Sequence, residues 1–171
     1  MESVERLGAL DKVLDFGCGS GAMLPFLSER SQHVTAIDLD LAAIERIQKH
    51  VPLSKNVKVE DPSKTSLKDL PAGSFELIIA LDVLEHVHDL PGILSEIVAL
   101  LKPRGRLIVS GPTENILYRV GRKVAGPEYS GAYHERGVAA IKNELARRTR
   151  IEPIATLYWP ISLFEIFAAV A

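Results

Sequence analysis

One cysteine, Cys18, is all that the 171 residues contain. That excludes an internal disulfide framework and a multi-cysteine metal site. No metal centre is expected, and a reducing, cytoplasmic setting is. Charge of one sign is lacking as well: 20 basic residues face 22 acidic ones, for a net charge of −2. No global basic field is present to hold a phosphate backbone, so nucleic acid is not the expected partner. Long hydrophobic runs are missing. The most apolar stretch, residues 161–171, is broken by Glu165 and is about half a membrane span. The first five residues (Met1, Glu2, Ser3, Val4, Glu5) are acidic and hold no apolar core, unlike a signal peptide. No internal repeat or low-complexity tract is seen. What remains, 47% hydrophobic and 25% charged, is ordinary for a globular chain. The length points to one domain over residues 1–171.

Short apolar runs alternate with helical patterns. Residues 13–16, 34–38, 57–59, 75–80 and 106–110 read as buried parallel strands, rich in β-branched and aliphatic side chains. Leu41, Ile44, Ile47 and Val51 keep helical spacing, with Asp40 at the N-cap position and Pro52 as the stop. Ile93, Leu94, Ile97, Val98 and Leu101 form a second stripe, opened by Asp89 and Pro91 and closed by Pro103 and Gly105. Asp82 and Glu85 have the spacing of a capping box. Val138, Ile141 and Leu145 predict a late helix, and two final strands are expected near 151–157 and 163–170. Such alternation implies an α/β sheet with helices on both faces. Ligands of such sheets bind at the carboxyl ends of the strands.

The first strand runs into Asp15-Phe16-Gly17-Cys18-Gly19-Ser20-Gly21-Ala22. Glycines at every second position let the backbone turn sharply and approach a ligand. Gly17, Gly19 and Ala22 satisfy a loose dinucleotide fingerprint. Asp15 opposes that reading, because a carboxylate beside a diphosphate is repulsive. The same carboxylate suits a ligand with an ammonium group, and Asp38, at the end of the second strand, suits a ribose. S-adenosylmethionine has both features and no phosphate.

Residues 13–21 (VLDFGCGSG) resemble the first motif of class I S-adenosylmethionine-dependent methyltransferases, in the broad small-molecule and lipid methyltransferase subgroup. Residues 34–40 (VTAIDLD), 75–87 (FELIIALDVLEHV) and 100–112 (LLKPRGRLIVSGP) resemble that family's later motifs in order and spacing. The resemblance implies a Rossmann-like, doubly wound, mostly parallel seven-stranded sheet whose last strand is antiparallel. It implies S-adenosylmethionine as cofactor and methyl transfer by direct displacement to a small-molecule or lipid-like acceptor. By the same resemblance, Asp15 and the backbone of Phe16, Gly17, Cys18 and Gly19 would hold the methionine portion. Gly21 would allow close packing at the helix start. Asp38 would take the ribose, and Leu39 one adenine face. Asp61 would contact the adenine amino group, and Ala80 and Leu81 would lie beside the sulfonium. Pro62 departs from the family pattern, because it lacks the N–H commonly offered to the adenine ring; Ser63 is the alternative donor.

Other roles stay open. Asp15 can instead cap the glycine loop, Asp38 can be a strand-end turn residue, and Asp61-Pro62 can be a plain turn. Cys18 reads as a small loop residue rather than a nucleophile, and Glu85 as a cap partner rather than an acid. Displacement at a sulfonium needs a base only when the nucleophile carries a tightly held proton. His86 is the leading candidate for that base, with His134 second and His88 behind; each can also be a surface histidine. Residues 113–137 form a link longer than usual, holding Tyr118, Tyr129, Tyr133, His134, Arg119, Arg122 and Lys123. They are expected to make a lid or substrate wall, against the alternative of a surface helix over 114–124. The short lead before the first strand suggests an open site, a small enzyme that uses the insert as its lid, or a truncated chain. Two further functions compete with the enzyme: a non-catalytic cofactor- or partner-binding module on the same fold, and a nicotinamide-dependent oxidoreductase, which Asp15 opposes.

Overall fold

The computed structural model describes residues 9–113, 137–158 and 163–171. Seven strands lie in one sheet: β1 (Leu10–Phe16), β2 (Ser31–Ile37), β3 (Val57–Glu60), β4 (Phe75–Leu81), β5 (Leu101–Pro112), β6 (Arg150–Leu157) and β7 (Phe164–Val170). Their order is β3-β2-β1-β4-β5-β7-β6. β1 pairs in parallel with β2 and β4, β2 with β3, and β4 with β5. β7 runs antiparallel to both β5 and β6. The expected doubly wound sheet with an antiparallel last strand is therefore the observed one.

Four α-helices are described: α1 (Leu24–Arg30), α2 (Leu41–Gln48), α3 (Leu90–Leu100) and α4 (Val138–Leu145). Because neighbouring strand residues point to opposite faces, each strand feeds two cores. Leu14, Ile78, Ala80, Leu107, Val109 and Phe167 pack with α3 and α4. Val13, Val34, Leu77, Ile79 and Ile108 pack with Leu24 and Leu27 of α1 and Ile44 of α2. Burial on both faces explains why the central strands read as unbroken apolar runs rather than as alternating ones.

The caps explain the helix starts. The Asp40 carboxylate accepts from the Ala42 N–H and opens α2. Asp89 accepts from the Gly92 N–H at 3.0 Å and opens α3 at Leu90, three residues before the apolar stripe begins. α2 ends at Gln48, before the predicted stop at Pro52. Its last turn closes earlier, with His50 and Val51 both donating to the Ile47 carbonyl. The expected Asp82–Glu85 capping box does not form. The 3₁₀ turn over Leu84–His86 starts after Val83 and has no side-chain cap. Asp82 is instead turned toward β5.

The strand order changes direction between β1 and β4, since β2 and β3 lie on one side and β5 on the other. A crevice at the carboxyl ends of the strands is expected at such a switch. The glycine loop leaves β1 at that point.

Candidate functional site

The loop after β1 is fastened to the end of β2. Gly17 and Cys18 both donate to the Ile37 carbonyl, at 2.8 and 3.1 Å. Gly19 donates to the Asp38 carboxylate at 2.6 Å, and Asp40 donates to its other oxygen at 2.8 Å. Asp38 thus holds the loop shut at its base. A carboxylate has about four acceptor positions, so lone pairs remain for a ligand.

Two glycines meet different demands. Gly17 has φ +77°, and a Cβ there would come within 2.4 Å of the Val83 side chain. Gly19 has φ +54°, yet a Cβ there would meet nothing within 4 Å. The first glycine lets the segment after β4 pack against the loop. The second leaves open space above the loop, where a ligand can approach the backbone.

Asp15 closes the carboxyl end of β1 and is only 2% exposed. Burial, with Asp38 adding repulsion, lifts its carboxyl from 3.8 to about 7. No hydrogen bond or ion pair satisfies its side chain among the described residues. Burial and the same two carboxylates push the Cys18 thiol up to about 12. A thiol that holds its proton so firmly is not a nucleophile, which agrees with the loop-residue reading.

A cavity of 360 Å³ opens beside the loop. Phe16, Gly17, Asp38 and Leu39 form one wall, Pro62 with Thr65, Ser66 and Leu67 a second side, and Val83, His86 and Val87 a third. Ile93 and Glu96 of α3 complete it. Its volume lies in the range of small-molecule sites. Leu39 stands at the rim, 93% exposed.

Among the sequence-predicted residues, Phe16, Gly17, Asp38, Leu39 and His86 line this cavity. Asp15, Cys18, Gly19 and Gly21 lie in or beneath the loop that bounds it. Ala80 is fully buried and Leu81 partly so at the end of β4. Asp61 is turned into its own loop. Its carboxylate accepts from the Ser63 N–H at 2.9 Å and pairs with Lys64 at 3.4 Å, contacts that hold its pKa below the usual value. Pro62, not Asp61, faces the cavity. His88 is exposed. His134, Tyr118, Tyr129, Tyr133, Arg119, Arg122 and Lys123, and with them the expected lid, lie outside the described residues.

Sequence reasoning missed Val83, Thr65, Ser66, Leu67, Ile93 and Glu96 as cavity residues. One signal was available. Ser66-Leu67-Lys68-Asp69 has capping-box spacing, and that box is formed: Ser66 accepts from Lys68, and Asp69 accepts from the Ser66 N–H at 2.9 Å. It fixes the short turn that walls the cavity. Ile93 and Glu96 carried no such signal, since they belong to the helix stripe. Among the described residues, no group of three or more His, Cys, Asp or Glu is placed to hold a metal ion. No helix among them is long and apolar enough to cross a membrane.

Sheet order and the glycine loop after β1 together define a Rossmann-like domain. The chain belongs to a methyltransferase family: the family model described as "Methyltransferase domain" matches residues 2–153. Among curated proteins it is 33% identical over 117 residues to the ubiquinone biosynthesis O-methyltransferase of Marinobacter nauticus, covering 65% of this chain and 48% of that protein. Against the ubiquinone biosynthesis O-methyltransferase of Xanthomonas euvesicatoria pv. vesicatoria it is 38% identical over 112 residues, covering 63% and 44%. The chain spans about half the length of the curated relatives it matches. The fold is also that of the N-methyltransferase NodS from Bradyrhizobium japonicum, solved with S-adenosyl-L-homocysteine. That likeness has a TM-score of 0.73 at 19% identity and covers 96% of this chain and 80% of that one. An S-adenosylmethionine-dependent methyltransferase from Mesorhizobium loti gives a TM-score of 0.73 at 21% identity, covering 99% and 96%.

Proposed function

We propose that this chain binds S-adenosylmethionine at the loop after β1 and transfers its methyl group to a hydroxyl of a small-molecule or lipid-like acceptor. The observation that carries the reading is the pair of carboxylates at the strand mouths. Asp15 is 2% exposed and lies near Asp38, without a cation to balance it among the described residues. A buried carboxylate in that state asks for a positive partner. An amino-acid ammonium answers Asp15, a ribose answers Asp38, and the apolar cavity wall with Leu39 answers a purine ring. A diphosphate would meet two negative charges instead, which disfavours a nicotinamide dinucleotide. Oxygen as the acceptor atom rests on the naming of the curated relatives as O-methyltransferases.

When bound, S-adenosylmethionine supplies a methyl group on a sulfonium centre whose leaving group is a neutral thioether. The chain's own work is alignment and exclusion of water. Holding two reactants in line contributes most of such an acceleration. Asp15 and the backbone from Phe16 to Gly19, with Gly21 behind them, fix the amino-acid end. Asp38 and Leu39 fix the nucleoside, and Asp61 is kept as a contact for the adenine amino group on the family resemblance alone. Ala80 and Leu81 shape the floor at the end of β4. His86, on the cavity wall, and His134, from the sequence alone, are the histidines that can meet the acceptor. We place 1–171 in one domain, with residues 113–137 as its substrate-side insert.

Pro62 favours a second reading, a cofactor-binding module without turnover, because it removes a backbone donor from the cavity wall. Titration calorimetry with S-adenosylmethionine, S-adenosylhomocysteine and NAD tests the primary reading. Micromolar binding of the first two and none of NAD is expected. Binding of NAD alone would sink it. Turnover then separates enzyme from module.

A further inference from the structure

Asp82 is one of three non-glycine residues with positive φ among the described residues, at +52°. It stands directly after β4 and before Val83, whose side chain sits against Gly17. The left-handed turn therefore has a packing purpose: it carries the chain from β4 back onto the glycine loop. That purpose explains the backbone but not the side chain, since glycine meets the same geometry without steric cost. The carboxylate is aimed. Ser110, buried near the end of β5 (7% exposed), donates its hydroxyl to Asp82 Oδ1 at 2.8 Å. The Asp82 N–H returns to the Ser110 carbonyl at 3.3 Å. Oδ2 accepts nothing from the described residues, and the residue is exposed. A strained, hydrogen-bonded and outward-facing carboxylate at a strand mouth is the arrangement found where chemistry needs it.

We propose, resting on the methyltransferase reading above, that Asp82 is the group that receives the acceptor's proton. The acceptor enters from the β5 side, and its hydroxyl donates to Oδ2. As the acceptor oxygen forms its bond to the methyl carbon, the carbon–sulfur bond breaks and its electron pair stays on sulfur. The hydroxyl proton passes to Asp82, leaving a neutral ether and a protonated carboxyl, which returns the proton to water. Ser110 fixes the carboxylate rotamer and is a positioning residue. His86 lines the cavity together with Val83 and is not the proton acceptor in this assignment.

The probe is catechol, a small ring-hydroxyl acceptor, with the methyl ether product separated by chromatography. Asp82→Gly and Asp82→Asn are compared with the unaltered chain. S-adenosylhomocysteine affinity, by calorimetry, is expected to be unchanged in both variants. The melting temperature of Asp82→Gly is expected to fall modestly, because relief of the left-handed strain is offset by loss of the acceptor for the buried Ser110 hydroxyl; Asp82→Asn keeps that acceptor and is expected to melt like the parent. kcat at pH 7 is expected to fall about 100-fold or more in both, in line with loss of a proton-accepting group. The deficit must shrink as pH rises toward ionisation of catechol, because a pre-ionised hydroxyl needs no base. A structural role would not move that pH profile. Parent-like turnover in Asp82→Gly overturns the proposal, as does a deficit equal at every pH, or a pH-dependent deficit carried by His86→Ala instead. Failure of the unaltered chain to methylate catechol while binding S-adenosylhomocysteine also overturns it for ring hydroxyls. Failure to bind S-adenosylhomocysteine at all refutes the parent reading rather than this one.

Discussion

Replacing Asp15 by asparagine should make the free protein more stable and the site worse. The side chain is 2% exposed, and its carboxyl is lifted from 3.8 to about 7 by burial first and by Asp38 second. Because the native pKa lies above the unfolded one, the native state binds more protons between those two values. Stability therefore falls as pH rises through that window. At about 1.36 kcal/mol per pH unit, the whole displacement corresponds to about 4 kcal/mol, and about 2–3 kcal/mol of it is lost between pH 5 and pH 8. Asparagine keeps the shape and has no charge to bury. Urea unfolding followed by circular dichroism at pH 5, 6.5 and 8 measures this directly. The stability of Asp15→Asn minus that of the parent should grow by about 2–3 kcal/mol from pH 5 to pH 8. A difference that stays constant across that range refutes the argument that Asp15 is buried without a cation. The ligand supplies the complementary half of the experiment. S-adenosylhomocysteine carries an ammonium, so its affinity for the variant should drop at least tenfold at pH 8. Below pH 7 its binding to the parent should release protons, seen as a binding enthalpy that depends on the buffer.

Four further outcomes follow from the same geometry. Asp38→Ala removes acceptors from Gly19 and Asp40 at 2.6 and 2.8 Å; it should cost about 1–3 kcal/mol in chemical denaturation and weaken S-adenosylhomocysteine binding, and unaltered affinity would refute the ribose assignment. Gly17→Ala drives a methyl into Val83 and should cost about 2–4 kcal/mol by the same assay, whereas Gly19→Ala should cost about 1 kcal/mol and lose proportionally more ligand affinity. Cys18, with its thiol pushed up to about 12 from 9.0, should react with a disulfide reagent on the order of 1000-fold more slowly when folded than in urea; equal rates would place it at the surface. Phe167→Ala, at a fully buried core position, should lower stability by about 3–5 kcal/mol while leaving β1 and its loop chemistry intact.

The misses have a common origin. The run at 106–110 was legible, but β5 extends from Leu101 to Pro112. Its first residues are recruited by Phe75, which pairs with Leu101 across a register shift. Asp82 and Glu85 met the spacing of a helix cap, yet Ser110, 28 residues away, claims the Asp82 carboxylate. Asp61 is engaged by Ser63 and Lys64 of its own loop, an arrangement its spacing did not show. In each case the competing partner is remote in sequence or is a local turn whose geometry only the folded backbone reveals.

What the sequence by itself determined is the class of the chain. Strands buried on both faces must be apolar throughout, glycines are needed where φ turns positive, and carboxylates at strand ends must meet something positive or polar. These are local constraints, so they are written in order along residues 13–112. Tertiary structure alone decided which side chains share one cavity. Glu96 of α3, Ser66 of a short turn and Leu39 after β2 stand far apart along the chain and line the same 360 Å³. It also decided which carboxylate is buried without a cation and which is strained and held by a hydroxyl. Those properties depend on burial and on neighbours brought together by the sheet, and no spacing rule along one chain encodes them.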